Sequence, residues 1–156
     1  MSALAGRQEL MNWIVTGKVV HAGTLNGNPI SLAAANATLG VLASNGGGIF
    51  GEMKRLGLHL RQGLESILRD AGHAVVTQGN GQVFQLSFLD QPARNYRDTL
   101  HADKRLYSGF ALALLDEGVL VLPDGRWYLS AAHKKADIDA TLSVVRRAVQ
   151  GLPENS

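Results

Sequence analysis

The chain has no cysteine among its 156 residues. That excludes a disulfide framework and a thiolate metal site, and it fits a reducing, cytoplasmic setting. Aromatic residues are scarce at 6%. Trp13, Trp127, Phe84, Phe88 and Phe110 therefore read as core residues rather than as a stacking platform for bases. An excess of one charge is also missing, since 15 Lys and Arg face 13 Asp and Glu for a net charge of +2. The longest like-charged runs are Lys134-Lys135 and Arg146-Arg147, so no basic stripe for nucleic acid is expected. No apolar run reaches the roughly 18 residues that a membrane span needs. His21, His59, His73, His101 and His133 share no metal-ligand spacing, and no metal is expected.

What is there is glycine, 18 residues of it, in punctuating clusters, within a chain 46% hydrophobic. The length matches one ordinary domain or pieces of two. Residues 6–15 read as a short helix, and 18–20 as an extended piece leading into the loop HAGTLNGNP (21–29). Asn28-Pro29 then opens a helix, with Asn as N-cap and Pro in the first turn. Its body, ISLAAANATLGVLAS, is so poor in charge that it should be buried nearly all round. A second helix is predicted from about Gly48 to Ala71, with Met53, Leu56, Leu60, Leu64 and Ile67 as one apolar stripe and Gly72 as its stop.

Downstream, 73–78 and 82–89 read as strands around a turn at 79–81, with Phe84, Leu86 and Phe88 on one face. Residues 101–117 read as a helix, 119–122 and 126–130 as strands around Pro123-Asp124-Gly125, and 135–150 as a last helix. The implied fold class is α/β, with an α+β layer over 47–152 in which helices cover one side of a small, mainly antiparallel sheet. Residues 1–46 do not complete such a layer. An apolar helix needs partners on several sides, and the short sheet does not supply them, so this third looks like part of something larger.

A glycine-flanked threonine ahead of a helix N-terminus has a physical use. Backbone N–H groups, the hydroxyl and the helix dipole together suit a phosphate, although such spacing usually marks a plain turn. The string AGTLNGNPISLAAANATLGVL resembles the segment after the cofactor lysine in class III pyridoxal-phosphate (PLP) aminotransferases, most closely those similar to glutamate-1-semialdehyde 2,1-aminomutase. SALAGRQELMNWIVTGKVVH before it and GVLVLPDGRWYLSAAHKKADIDATL after it resemble the same family, so the likeness spans essentially the whole chain.

The resemblance implies part of the PLP type I fold, with 1–46 a remnant of the large cofactor domain and 47–156 the small C-terminal domain. It implies PLP as cofactor, contacted here through its phosphate only. Thr24 takes the phosphate of the neighbouring subunit's PLP, flanked by Gly23 and Leu25. The family's cofactor lysine lies upstream of the residues present, so no catalytic residue is expected here and the isolated chain should be inactive. Lys18, Lys54, Lys104, Lys134 and Lys135 read as solvated charges. Arg126 is a candidate for a substrate carboxylate, by analogy with family members that bring an arginine from this region, or else a surface arginine beside Asp124. Ser130 and His133 lack a third member for hydrolase chemistry. The expected partners are further copies of the chain, as a dimer or higher oligomer, and a missing N-terminal PLP domain. The alternative is a non-catalytic, oligomeric interaction module that kept the fold and lost the chemistry.

Overall fold

The computed structural model describes residues 2–153. It separates into two compact units, one up to Gly47 and one from Gly48 onward. In the first, α1 (Gln8–Val15) and α2 (Pro29–Ala43) are the helices. The predicted cap is present: the Asn28 side chain accepts from the Ser31 N–H at 2.9 Å, and Pro29 occupies the first turn. The predicted burial is not. No residue of α2 is buried, and Ile30 is 79% and Leu39 61% exposed. The reason is supply, because α1, the other helix of this unit, is eight residues long and has no buried residue either. Trp13 on α1 is likewise half exposed rather than in a core. Residues 18–20, expected to be extended, form no strand. A short 3-10 turn at Ser44–Gly47, with Asn45 and Gly46 in the left-handed region, ends the unit.

The second unit is built on α3 (Gly48–Asp70). The predicted stripe Met53, Leu56, Leu60, Leu64 and Ile67 is buried throughout. Past its end the Gly72 and His73 N–H groups turn back to the Arg69 and Leu68 carbonyls, a helix stop of the kind glycine favours. Strands β1 (Val76–Asn80) and β2 (Val83–Ser87) pair antiparallel with Asn80 opposite Val83. The hairpin therefore turns on Gly81-Gln82, not on 79–81, and Gly79 lies in the ladder opposite Phe84. Packing sets this position: a Cβ on Gly57 of α3 would stand 2.1 Å from the Gly81 carbonyl oxygen, so helix and turn touch backbone to backbone.

The polar stretch after β2 contains one turn of helix, α4 (Tyr96–Thr99), closed by a reciprocal Asn95–Asp98 capping box. Helix α5 (Lys104–Asp116) starts three residues later than predicted, where the Asp103 side chain caps the Leu106 N–H at 2.8 Å. Strand β3 (Arg126–Tyr128) pairs antiparallel with β2, giving a wholly antiparallel sheet in the order β1-β2-β3, and α6 (Lys135–Ala148) follows. Residues 119–122, predicted as a strand, form none. Their alternation is real, since Val119 and Val121 pack on the core while Leu120 is 82% exposed. What they lack is a ladder: the Leu122 carbonyl is taken instead by the Tyr107 hydroxyl and the Gly125 N–H.

One core joins α3, α5, α6 and the sheet. Phe84 stacks on Trp127 with centroids 5.9 Å apart, and Phe110, fully buried, meets Phe88 and Tyr107 edge-on. Burial pushes the Tyr107 hydroxyl up to about 12. The outer edge of β1 is closed by α3 side chains. Arg61 donates to the Thr77 hydroxyl and carbonyl and to the Gly79 carbonyl, while Glu65 accepts from the Thr77 N–H and hydroxyl. An edge whose donors and acceptors are occupied cannot template pairing with another chain.

Candidate functional site

The two places that the sequence singles out lie in different units. In the loop ahead of α2, the Asn26 N–H donates to the Gly23 carbonyl at 3.0 Å and the Asn28 N–H to the Leu25 carbonyl at 3.2 Å. Two successive turns result, with Gly23, Thr24 and Leu25 in the first. The Thr24 hydroxyl and the backbone N–H groups of Thr24, Leu25 and Gly27 have no partner among the described residues, and all three residues are exposed. The Asn26 carboxamide folds back over Gly23 so closely that a Cβ there would stand 2.9 Å from Oδ1.

The electrostatics suit an anion. No Asp, Glu, Lys or Arg occurs between Lys18 and Glu52, so no carboxylate of this segment competes for the open donors. The α2 N-terminus adds the positive end of a 15-residue helix. The loop residues thus fit a phosphate group in kind: one hydroxyl and three backbone N–H donors are open ahead of a helix, in a segment without Asp or Glu.

In the second unit Arg126 opens β3. A Cβ on Gly125 before it would stand 2.5 Å from the Leu86 carbonyl oxygen, and φ there is +92°, so the turn needs glycine to seat the arginine. Arg126 is not free. Its Nε donates to Asp124 Oδ2 at 2.7 Å, a second guanidinium nitrogen lies 2.6 Å from the same oxygen, and its N–H donates to Oδ1 at 3.2 Å. These hydrogen bonds hold the Asp124 carboxyl below its ordinary range and raise Arg126 further. Beside the pair lies a cavity of about 240 Å³, lined by Arg126, Tyr128 and His133 and by apolar Leu60, Leu129 and Ile138. It is a largely apolar pocket with one guanidinium, paired with Asp124, at its wall.

Ser130 and His133, neighbours in one turn, do meet: the Ser130 N–H donates to His133 Nδ1 at 3.0 Å, and the Ser130 hydroxyl lies 3.1 Å from the same atom. A backbone N–H can only donate, so Nδ1 accepts and the ring proton belongs on Nε2. Among the described residues no carboxylate orients the far nitrogen, and the pair is a turn lock before α6 that also places His133 at the cavity wall. That role left no sequence signal beyond the short Ser-to-His spacing. Also unsignalled was the tie between α3 and α6, where His59 Nε2 lies 3.0 Å from Asp139 Oδ1 and the Lys135 ammonium 2.5 Å from Oδ2. Lys135, then His59, lowers the Asp139 carboxyl. Among the described residues no group of three or more His, Cys, Asp or Glu is placed to hold a metal ion, and no helix is long and apolar enough to cross a membrane. All five lysines are exposed.

A family model described as Aminotransferase class-III matches residues 1–149. A glutamate-1-semialdehyde 2,1-aminomutase from Methanothermobacter thermautotrophicus is 37% identical over 155 residues, which is 97% of this chain and 36% of that protein. The chain thus spans about a third of that relative's length. Among solved structures, an omega-transaminase from Sphaerobacter thermophilus superposes with a TM-score of 0.84 at 26% identity, over 93% of this chain and 34% of the other. A glutamate-1-semialdehyde-aminomutase from Pseudomonas aeruginosa PAO1 in complex with PMP gives a TM-score of 0.79 at 23% identity, over 94% and 35% of the two chains, and so shares the fold.

Proposed function

We propose, for a chain that belongs to the class-III aminotransferase family, that these residues form the C-terminal part of a PLP-dependent amino-group-transferring enzyme of the glutamate-1-semialdehyde aminomutase type. In this reading residues 1–46 complete a large cofactor domain and 47–156 form the small domain. The observation that carries the reading is the loop at Gly23–Leu25, whose hydroxyl and backbone N–H donors are open ahead of α2. When bound, PLP supplies an aldehyde that takes up an amino group and a ring that withdraws electrons from the adjacent carbon.

The chain's own residues hold and orient. The Thr24 hydroxyl donates to the phosphate, and the Thr24 and Leu25 N–H groups add charge-assisted hydrogen bonds that fix its position against the α2 dipole. Gly23 keeps the turn closed beneath it. Arg126 takes a substrate carboxylate at the cavity wall, which requires the guanidinium to share or exchange Asp124. The loop serves a cofactor held by the neighbouring subunit of the full enzyme, so the working form is a homodimer or higher oligomer, and association also covers α2. In this reading the lysine that carries the cofactor is none of the five in these 156 residues, and the chain alone does not catalyse amino transfer.

The test is a titration of the full chain with inorganic phosphate and with PLP, followed by backbone amide NMR. Shifts centred on Thr24 and Leu25, reduced at least about tenfold in affinity by Thr24→Val, are expected, because a hydrogen bond to a charged group is worth roughly 1.5–3 kcal/mol. Absence of any shift in this loop at millimolar ligand overturns the reading. It would favour the other one that the exposed, charge-free α2 supports, a non-catalytic module that associates through that helix.

A further inference from the structure

Three Asn-Gly pairs occur in the chain, Asn26-Gly27, Asn45-Gly46 and Asn80-Gly81. Asparagine before glycine is the pair most prone to lose its side-chain amide, because no Cβ shields the following backbone nitrogen and glycine lets that nitrogen swing into place. The Gly nitrogen bonds to the Asn Cγ, the bond from Cγ to the side-chain nitrogen breaks and ammonia leaves. Water then opens the cyclic imide to aspartate or isoaspartate. Nothing but water is consumed, and a neutral side chain becomes a carboxylate.

The fold separates the three pairs. Gly81 is buried, and a Cβ on it would stand 2.8 Å from the Lys54 Cα, while its carbonyl is wedged on Gly57. Its nitrogen cannot swing without lifting the hairpin turn off α3. Gly27 and Gly46 are exposed, with no atom beyond their chain neighbours within 4 Å of where a Cβ would stand, and among the described residues no hydrogen bond restrains either the Asn26 or the Asn45 carboxamide. Asn26 differs from Asn45 in its surroundings. It lies two residues from Thr24, whereas Asn45 lies past the end of α2; both fall in the stretch between Lys18 and Glu52 that holds no Asp, Glu, Lys or Arg.

We propose that Asn26-Gly27 is a spontaneous deamidation site, and that the carboxylate formed there repels the phosphate group from the Gly23–Leu25 loop, so that the loop loses anion affinity with age. The second half rests on the reading of the loop as a phosphate site. A single negative charge beside a phosphate in exposed surroundings is worth roughly a five- to tenfold loss of affinity at low salt, and less at high salt.

The experiment is to hold the full chain at mildly alkaline pH, sample it over weeks, and follow each Asn-Gly peptide by mass spectrometry with resolution of isoaspartate. Inorganic phosphate is titrated against fresh and aged samples, and against fresh Asn26→Asp and fresh and aged Asn26→Ser. Conversion at Asn26 and Asn45 at least about tenfold faster than at Asn80 is expected, the factor that a small local opening cost imposes. Aged protein and Asn26→Asp should bind phosphate more weakly in parallel, while Asn26→Ser keeps its affinity on ageing. An Asn26 that stays an amide while Asn45 converts overturns the site. Unchanged phosphate affinity in Asn26→Asp overturns the consequence. Fresh wild-type protein that binds no phosphate at the loop removes the consequence together with the loop reading, and the conversion rates then decide the chemical half by themselves.

Discussion

Replacing Glu65 by glutamine tests whether charged side chains of α3 hold the edge of the sheet. Glu65 Oε1 accepts from the Thr77 N–H at 2.9 Å and from the Thr77 hydroxyl at 2.5 Å, and that hydroxyl in turn accepts from Arg61 Nε at 3.0 Å. Thr77 is buried at 6% exposure, so its N–H has no water to fall back on. Burial raises the Glu65 carboxyl, but the Thr77 hydrogen bonds and the charges of Arg69 and Arg61 outweigh it and hold the group below its ordinary value. A neutral amide keeps the shape and one acceptor but gives up the charge on two hydrogen bonds. The expected cost is about 1.5–3 kcal/mol, the range for a hydrogen bond to a charged group.

The pH dependence has a definite sign. A carboxyl whose folded pKa is depressed contributes stability that is fully present above its unfolded pKa of 4.5 and is lost as pH falls through the lower folded value. Urea unfolding of wild type and Glu65→Gln, followed by tryptophan fluorescence from neutral pH down to about 3, should therefore show a gap that narrows below the ordinary carboxylate range. A gap under about 0.5 kcal/mol at neutral pH, or one that widens on acidification, would refute the account of this edge.

Other outcomes follow from the same contacts. Phe110→Ala should cost about 3–5 kcal/mol in urea unfolding, because the ring is fully buried. Leu39→Ala on α2 should change it by less than about 0.5 kcal/mol in the dissociated chain, since Leu39 is 61% exposed. Asn28→Ala removes the acceptor for the Ser31 N–H and should weaken α2 by about 1 kcal/mol, seen as faster amide exchange at Ser31 and Leu32. Asp124→Asn releases Arg126 from its ion pair, and binding of a small dicarboxylate such as succinate should tighten by up to about fivefold, the worth of an exposed pair, in calorimetric titration.

How much of this was legible in the sequence varies with the physics involved. The α3 stripe was fully legible, because one buried face at helical spacing needs no knowledge of its partner. The Asn28 cap and the Phe84, Leu86, Phe88 face were legible for the same reason of local pattern. Position within the hairpin was not, since Gly79, Asn80 and Gly81 all suit a turn and the choice is made by the contact between Gly57 and Gly81. Residues 119–122 alternate like a strand, yet whether a strand pairs depends on a neighbour that local pattern does not report. The exposure of α2 is the same lesson reversed, a helix whose composition expects partners that these residues do not supply.

The candidate site was legible at Gly23, Thr24 and Leu25 as a string and at Arg126 as a residue, but not as an environment. That Arg126 is held by Asp124, and that His133 shares its cavity wall, follows from a turn seated by Gly125. Glycine frequency alone says nothing of this.

The central claim is that these residues offer a grip for the cofactor's phosphate without the lysine that carries the cofactor. The most direct measurement mixes the full chain with PLP, treats it with borohydride, and maps any reduced adduct by peptide mass, with the Thr24 amide followed in parallel. The account predicts a PLP-dependent shift at Thr24 and no stoichiometric label on Lys18, Lys54, Lys104, Lys134 or Lys135. One lysine labelled to completion, with the Thr24 amide unmoved, would contradict it.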